Sequence, residues 1–148
     1  MIRFREATQA DVAAVVALLS EDDLGPRRDA DAQPDFPAVF AAMQAEGLNH
    51  LIVGERQGVI VATYQIAFIA GLSLRASRRA QVEGVRVRSD LRGQGIGHRL
   101  MADAEARARA AGCSLIQLTT QIARTEAHRF YAALGFTPSH IGYKRDLS

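Results

Sequence analysis

The feature that most constrains this chain lies between Val85 and Gly97. Val85-Arg86-Val87-Arg88 leads through Ser89-Asp90-Leu91 into Arg92-Gly93-Gln94-Gly95-Ile96-Gly97, and a helix-forming stretch follows. The alternating valines predict a strand. Glycines at every second position let the backbone adopt left-handed angles and approach a ligand closely. The helix that follows offers first-turn N–H groups with no internal acceptor and the positive end of its dipole. Strand, glycine loop and helix together make a site for a phosphate or pyrophosphate.

Two phosphate loops are excluded. No Gly-Lys-Ser/Thr is present, and the spacing is G-x-G-x-G where a dinucleotide fingerprint needs G-x-G-x-x-G. The loop also lies late in the chain, behind an antiparallel run. The glycines by themselves also fit a turn that merely joins strand to helix.

The rest of the chain sets this loop in an α+β fold. Residues 2–6 alternate as a strand, and Thr8-Gln9-Ala10-Asp11 forms a capping box for a helix over about 9–20 carrying Val12, Val15, Val16 and Leu19. The polar stretch 21–35, with Gly25, Pro26 and Pro34, predicts a loop. A helix over about 37–46 should stop at Gly47. Strand-like runs over 50–55 and 59–69 flank a Gln57-Gly58 hairpin turn, and 80–88 predicts another strand. The helix after Gly97 puts Leu100, Ala104, Ala108 and Ala111 on one face and ends at Gly112. A short strand over 114–119, a helix over 125–134 stopped by Gly135, and a last strand over 141–147 complete the order. The crossover between 81 and 119 should leave its two strands parallel and neighbouring. The expectation is one domain over 1–148, with a mixed central β-sheet flanked by about four helices.

Composition excludes several classes. The 48% hydrophobic and 23% charged content is that of a globular protein, and no apolar run approaches the roughly 18 residues of a membrane span. The N-terminus lacks the apolar run of a signal peptide, and the single Cys113 cannot form an internal disulfide, so a cytoplasmic location is expected. A formal charge of +2 does not suggest nucleic acid. Arg75, Arg78, Arg79, Arg86, Arg88, Arg92 and Arg99 do cluster and could face an anion, but no aromatics interleave them and no nucleic-acid-reading motif accompanies them. His50, His98, His128 and His140 are scattered without metal spacing, and no metal is expected. His50 and His140 read as structural or exposed, His128 as a surface residue, and Cys113 as a small buried one.

Two motifs carry a resemblance to a known family. Arg92-x-x-Gly95-x-Gly97, after a V-x-V strand and opening a helix, is similar to the acetyl-CoA pyrophosphate loop of the GNAT N-acetyltransferases. Ala127-His128-Arg129-Phe130-Tyr131-Ala132-Ala133-Leu134-Gly135-Phe136 is similar to that family's A-x-x-x-Y-x-x-x-G-F helix end. The resemblance is specific from Val82 onward; before it only the order of elements agrees. Residues 119–131 with Ser139-His140 also resemble the aminoalkylphosphonate N-acetyltransferases.

The resemblance implies acetyl-CoA as co-substrate and a small-molecule amine as acceptor, and it leaves homodimerisation open. It implies that Arg92, Gly93, Gln94, Gly95, Ile96, Gly97 and His98 hold the pyrophosphate, that Val87 pairs with the pantetheine arm, and that the Val85 N–H faces the thioester oxygen. Arg124 stands where many members have an asparagine that contacts the cofactor, so that contact is lost or changed. Transfer to an amine needs a base, because an ammonium has a pKa of about 10.4, and an acid for the leaving thiolate. Tyr131, whose family counterpart sits beside the cofactor sulfur, is the candidate acid. Glu83, a charged residue in an apolar strand, is the candidate base, acting directly or through a water. Each has a plainer alternative: an ordinary packed aromatic for Tyr131 and an exposed glutamate for Glu83. Residues 21–35 and 59–69 are expected to line the acceptor pocket. A non-catalytic acyl-CoA-binding or regulatory module of the same fold is the alternative function.

Overall fold

The computed structural model describes residues 1–21 and 33–148. The chain divides into two compact units, Met1–Gln117 and Leu118–Ser148.

The first unit is built on a sheet of order β1-β2-β3-β4-β5. Its strands are β1 (Arg3–Glu6), β2 (Asn49–Arg56), β3 (Val59–Ile69), β4 (Arg79–Val87) and β5 (Leu115–Leu118, which reaches one residue past the unit). The first four pair antiparallel in sequence order. β5 lies beside β4, as the crossover requires, and the sheet is mixed. The hairpin between β2 and β3 turns on Gln57 and Gly58, both with positive φ (52° and 78°), the handedness that matches strand twist.

Helices cover both faces. α1 (Val12–Ser20), preceded by a 3₁₀ turn Gln9–Asp11, and α2 (Phe36–Glu46) lie on one face. There Ala7, Val12, Val15, Phe40 and Val53 form a buried cluster. Val53 faces Thr63 across the β2–β3 ladder while the preceding residue, Ile52, faces Tyr64, so Ile52 and Tyr64 point to the opposite face. That face is covered by α4 (Ile96–Ala110), which buries Ile96, Leu100, Met101, Ala104 and Ala108. With helices on both sides, β3 is buried on consecutive residues from Val61 to Tyr64.

The expected capping box is present: the Thr8 N–H donates to Asp11 Oδ2 at 2.7 Å. Both glycine stops hold as well. α2 ends at Gly47, with φ 69°. α4 closes in a Schellman motif, in which Cys113 N–H returns to the Ala108 carbonyl and Gly112 N–H, with φ 81° at Gly112, to that of Arg109. α3 (Ser73–Ala76) is no ordinary helix, because Leu74, Arg75 and Ala76 all have positive φ, between 52° and 60°.

The second unit contains α5 (Thr125–Ala133). The expected strand over 141–147 is not formed. Ile141, Tyr143 and Leu147 are exposed, and no residue there pairs with another strand. Alternation gives a segment two faces, but a strand exists only where a neighbour accepts its hydrogen bonds.

Candidate active site

In β4 the ladder with β3 slips. Thr63 pairs with Arg86 and Gln65 with Glu83, so Tyr64 alone faces both Gly84 and Val85. This is a β-bulge, and Gly84 takes the left-handed angle it needs, φ 61°. A bulge leaves its extra residue outside the hydrogen-bond ladder, so backbone polar groups here are available to a ligand. Glu83 is the last paired residue before the bulge and is exposed; Val85 is half-buried. The lone glycine in an otherwise regular strand was the sequence signal for this bulge.

β4 then enters the glycine loop through a 3₁₀ turn, Ser89–Leu91, whose first N–H donates to Glu21 Oε2 at 3.0 Å. Gly93 and Gly95 both lie in the left-handed region (φ 79° and 82°), and a side chain added at either would meet nothing within 4 Å. The space in front of them is open to a ligand. α4 starts at Ile96 with Gly95 as its N-cap, two residues earlier than the helix after Gly97 that the sequence suggested. Gly97 therefore sits in the first helical turn and is not among the positive-φ glycines. The first-turn N–H groups have no acceptor within the helix, as an anion site requires. Gln94, Ile96 and Arg99 also line a cavity of about 400 Å³ with Met1, Ile2 and Arg56. His98 is exposed beside them.

The expected arginine cluster is partly spent on local bonds. Arg88 pairs with Asp90 at 2.6 Å, and that bond holds the Asp90 carboxyl below its ordinary range. Arg86 Nη1 donates to the Val85 carbonyl at 2.8 Å, and Arg92 Nε to that of Val87 at 3.3 Å. The loop expected over 21–35 falls largely on residues 22–32, outside the described residues; Glu21 and residues 33–35 are its described edges. On β3, Ile66 and Phe68 line a different cavity, of about 300 Å³, with Glu6, His50 and Arg107, while the middle of the strand is core.

Within the second unit, Tyr131 is half-buried and packs edge-on with Phe130 (5.1 Å) and Phe136 (5.8 Å). Phe136 N–H returns to the Tyr131 carbonyl and Gly135 N–H to that of Ala132 at 3.0 Å each, a Schellman cap with Gly135 at φ 92°. The second motif is thus first of all a helix stop. Arg124 is the exposed N-cap of α5.

The histidines fall apart from one another. His50 pairs with Glu6 at 3.2 Å, His128 Nε2 bonds to the Gln121 carbonyl at 2.9 Å, and His140 Nδ1 to Ser139 Oγ at 2.7 Å. Among the described residues no group of three or more His, Cys, Asp or Glu could hold a metal ion. Cys113 is half-buried where full burial was expected. No helix among the described residues is long and apolar enough to cross a membrane.

The chain belongs to the acetyltransferase (GNAT) family, a class of acyl-group transferases, whose profile it matches over residues 13–136. It is 34% identical over 143 residues to the aminoalkylphosphonate N-acetyltransferase of Salmonella typhimurium, covering 97% of this chain and 90% of that one. A Bacillus halodurans C-125 protein described as a transcriptional regulator shares its structure with a TM-score of 0.90 at 39% identity, over 99% of this chain and 100% of that one. A Clostridium acetobutylicum protein described as a predicted acetyltransferase and solved with acetyl-CoA shares the fold (TM-score 0.77, 20% identity, 99% and 97% covered). The chain is an acetyltransferase by family.

Proposed function

We propose that residues 1–148 act as one catalytic domain that moves the acetyl group of acetyl-CoA to the primary amine of a small molecule, by direct attack in a ternary complex. The observation that carries this reading is the glycine loop, with Gly93 and Gly95 left-handed and open in front, following the strand that carries the bulge at Gly84–Val85. The loop residues 92–98 hold the pyrophosphate, Val87 pairs with the pantetheine arm as an added strand, and Arg124 lies along the cofactor. Acetyl-CoA supplies the acetyl group as a thioester. Glu83 takes the proton of the acceptor ammonium, directly or through a water. The Val85 N–H donates to the carbonyl oxygen as it gains charge while the C–N bond forms. Tyr131 gives its proton to the leaving sulfur as the C–S bond breaks, and the second proton shed by the acylated nitrogen returns to the Tyr131 oxygen.

For the acceptor, the 34% identity to an aminoalkylphosphonate N-acetyltransferase favours an amine with an anionic group. The arginines at 75–88 suit such a substrate. The test is free-thiol release across aminoalkylphosphonates, polyamines, amino acids, aminoglycosides and peptide N-termini. Turnover highest with an aminoalkylphosphonate is the expected result. Turnover confined to an uncharged or cationic amine would overturn the acceptor assignment.

A second reading is a regulatory module that binds an acyl-CoA without turnover, and the 39% identity to a protein described as a transcriptional regulator favours it. Acetyl-CoA binding with no thiol release from any amine would establish that reading in place of the first.

A further inference from the structure

We propose that Tyr64, Asp103 and Arg107 form a half-buried tie that fixes the β4 bulge against helix α4, making Tyr64 a positioning residue for the acetyl transfer proposed above, on which its kinetic part rests. Tyr64 has no solvent exposure and is the residue that faces the bulge pair Gly84–Val85. Its hydroxyl donates to Asp103 Oδ2 at 2.5 Å, and the same oxygen accepts from Arg107 Nε at 2.8 Å. Arg107 Nη2 reaches on to the Phe4 carbonyl at 3.4 Å, and the Phe4 and Tyr64 rings lie 6.5 Å apart. Burial pushes the Tyr64 hydroxyl far above its ordinary pKa, with the Asp103 carboxylate reinforcing the effect, so it stays a donor.

The geometry gives this bond a task beyond filling the core. A bulge residue lacks a ladder partner, so its orientation depends on what lies beneath it. Here that is Tyr64. Asp103 lies on the helix that the glycine loop opens, which from Ile96 to Asp103 is a rigid rod of about 1.5 Å per residue. The tie therefore couples the bulge N–H groups to the first-turn N–H groups of α4, the two places where the proposed donor is gripped. A phenylalanine would fill the same volume without joining strand to helix.

Tyr64→Phe tests this, read first by amide hydrogen exchange on the ligand-free protein. Exchange at Glu83 and Arg86, which flank the bulge, should accelerate about tenfold, with β1 and β2 within about twofold of the parent. At saturating acetyl-CoA, kcat should fall about tenfold while KM for the acceptor stays within about threefold, since nothing proposed to touch the acceptor is removed. Asp103→Asn keeps an acceptor for the hydroxyl and should retain most of kcat. Asp103→Leu should match Tyr64→Phe, and the double variant should add nothing further. Unchanged exchange at Glu83 and Arg86 together with kcat within twofold overturns the tie and makes Tyr64 a core residue only. A parent protein without turnover would defeat the acetyl-transfer reading instead, and the exchange comparison would then decide the tie by itself.

Discussion

Phe136 folds back on Tyr131 twice: its N–H bonds to the Tyr131 carbonyl at 3.0 Å, and the two rings meet edge-on at 5.8 Å. Backbone and ring of Tyr131 are thus engaged in stopping α5, and its hydroxyl is the part that the proposed chemistry uses.

Tyr131→Phe isolates that hydroxyl, because ring and cap survive. We expect an unchanged melting temperature and a kcat lower by about 10²-fold, the low end for loss of a positioned acid, since a thiolate with a pKa near 8.5 leaves readily. Turnover at saturating acetyl-CoA beside a melt of the same protein checks this. A kcat within twofold of the parent would reduce Tyr131 to its structural role.

Glu83 is exposed beside the bulge, so removing its charge should leave the fold intact. Glu83→Gln should lower turnover about 10²-fold near pH 7. The deficit should narrow above pH 9 as free amine accumulates without help. A pH–rate profile parallel to that of the parent would remove Glu83 from the mechanism.

Gly97 lies in the first turn of α4, where alanine is preferred to glycine by up to about 1 kcal/mol. Gly97→Ala should melt no lower than the parent when ligand-free. Acetyl-CoA at 100 times its dissociation constant should stabilise the parent by about 2.7 kcal/mol, and the variant by less than half of that, because the added methyl blocks backbone approach. Equal stabilisation of the two proteins would move the phosphate site away from this loop.

Arg5 grips both oxygens of Asp11, at 2.7 and 3.0 Å, and with the Thr8 N–H holds that buried carboxyl down from 3.8 to about 2. The folded value lies below the unfolded one, so the stabilisation is complete above about pH 4 and is lost as pH falls toward 2. It amounts to about 2 kcal/mol. Asp11→Asn should melt lower than the parent at pH 6, with the gap between the two melts narrowing below about pH 4 and closing only as pH falls through about 2. A constant gap between them across this range would count against the ion pair.

How legible all this was in the sequence depended on range. The glycine stops at Gly47, Gly112 and Gly135 and the turn at Gln57-Gly58 are local, and each stands where its residue type demands. The bulge was legible in principle, through Gly84 inside a strand, but its consequence depends on Tyr64 in the neighbouring strand. The Tyr64–Asp103 bond spans 39 positions, and no spacing rule reaches that far. The arginines from 75 to 99 suggested one basic patch, but Asp90 and two backbone carbonyls occupy several of them. The last strand failed for a related reason: alternation over 141–147 describes what the segment could present, and pairing depends on a partner that sequence pattern does not name.

The bulge and the glycine loop are joined by the end of β4 and one 3₁₀ turn, and their separation is therefore a property of the backbone. Between Val85 and the end of β4 at Val87 the chain advances about 3.3 Å per residue whatever side chains it carries. On the proposed reading, β4 is a fixed ruler matched to the arm of the acyl donor. Only an insertion or deletion could regrade it. Substitutions around Glu83 and along the arginines are free to change the acceptor without altering that length, so donor choice is inherited with the strand while acceptor choice can drift.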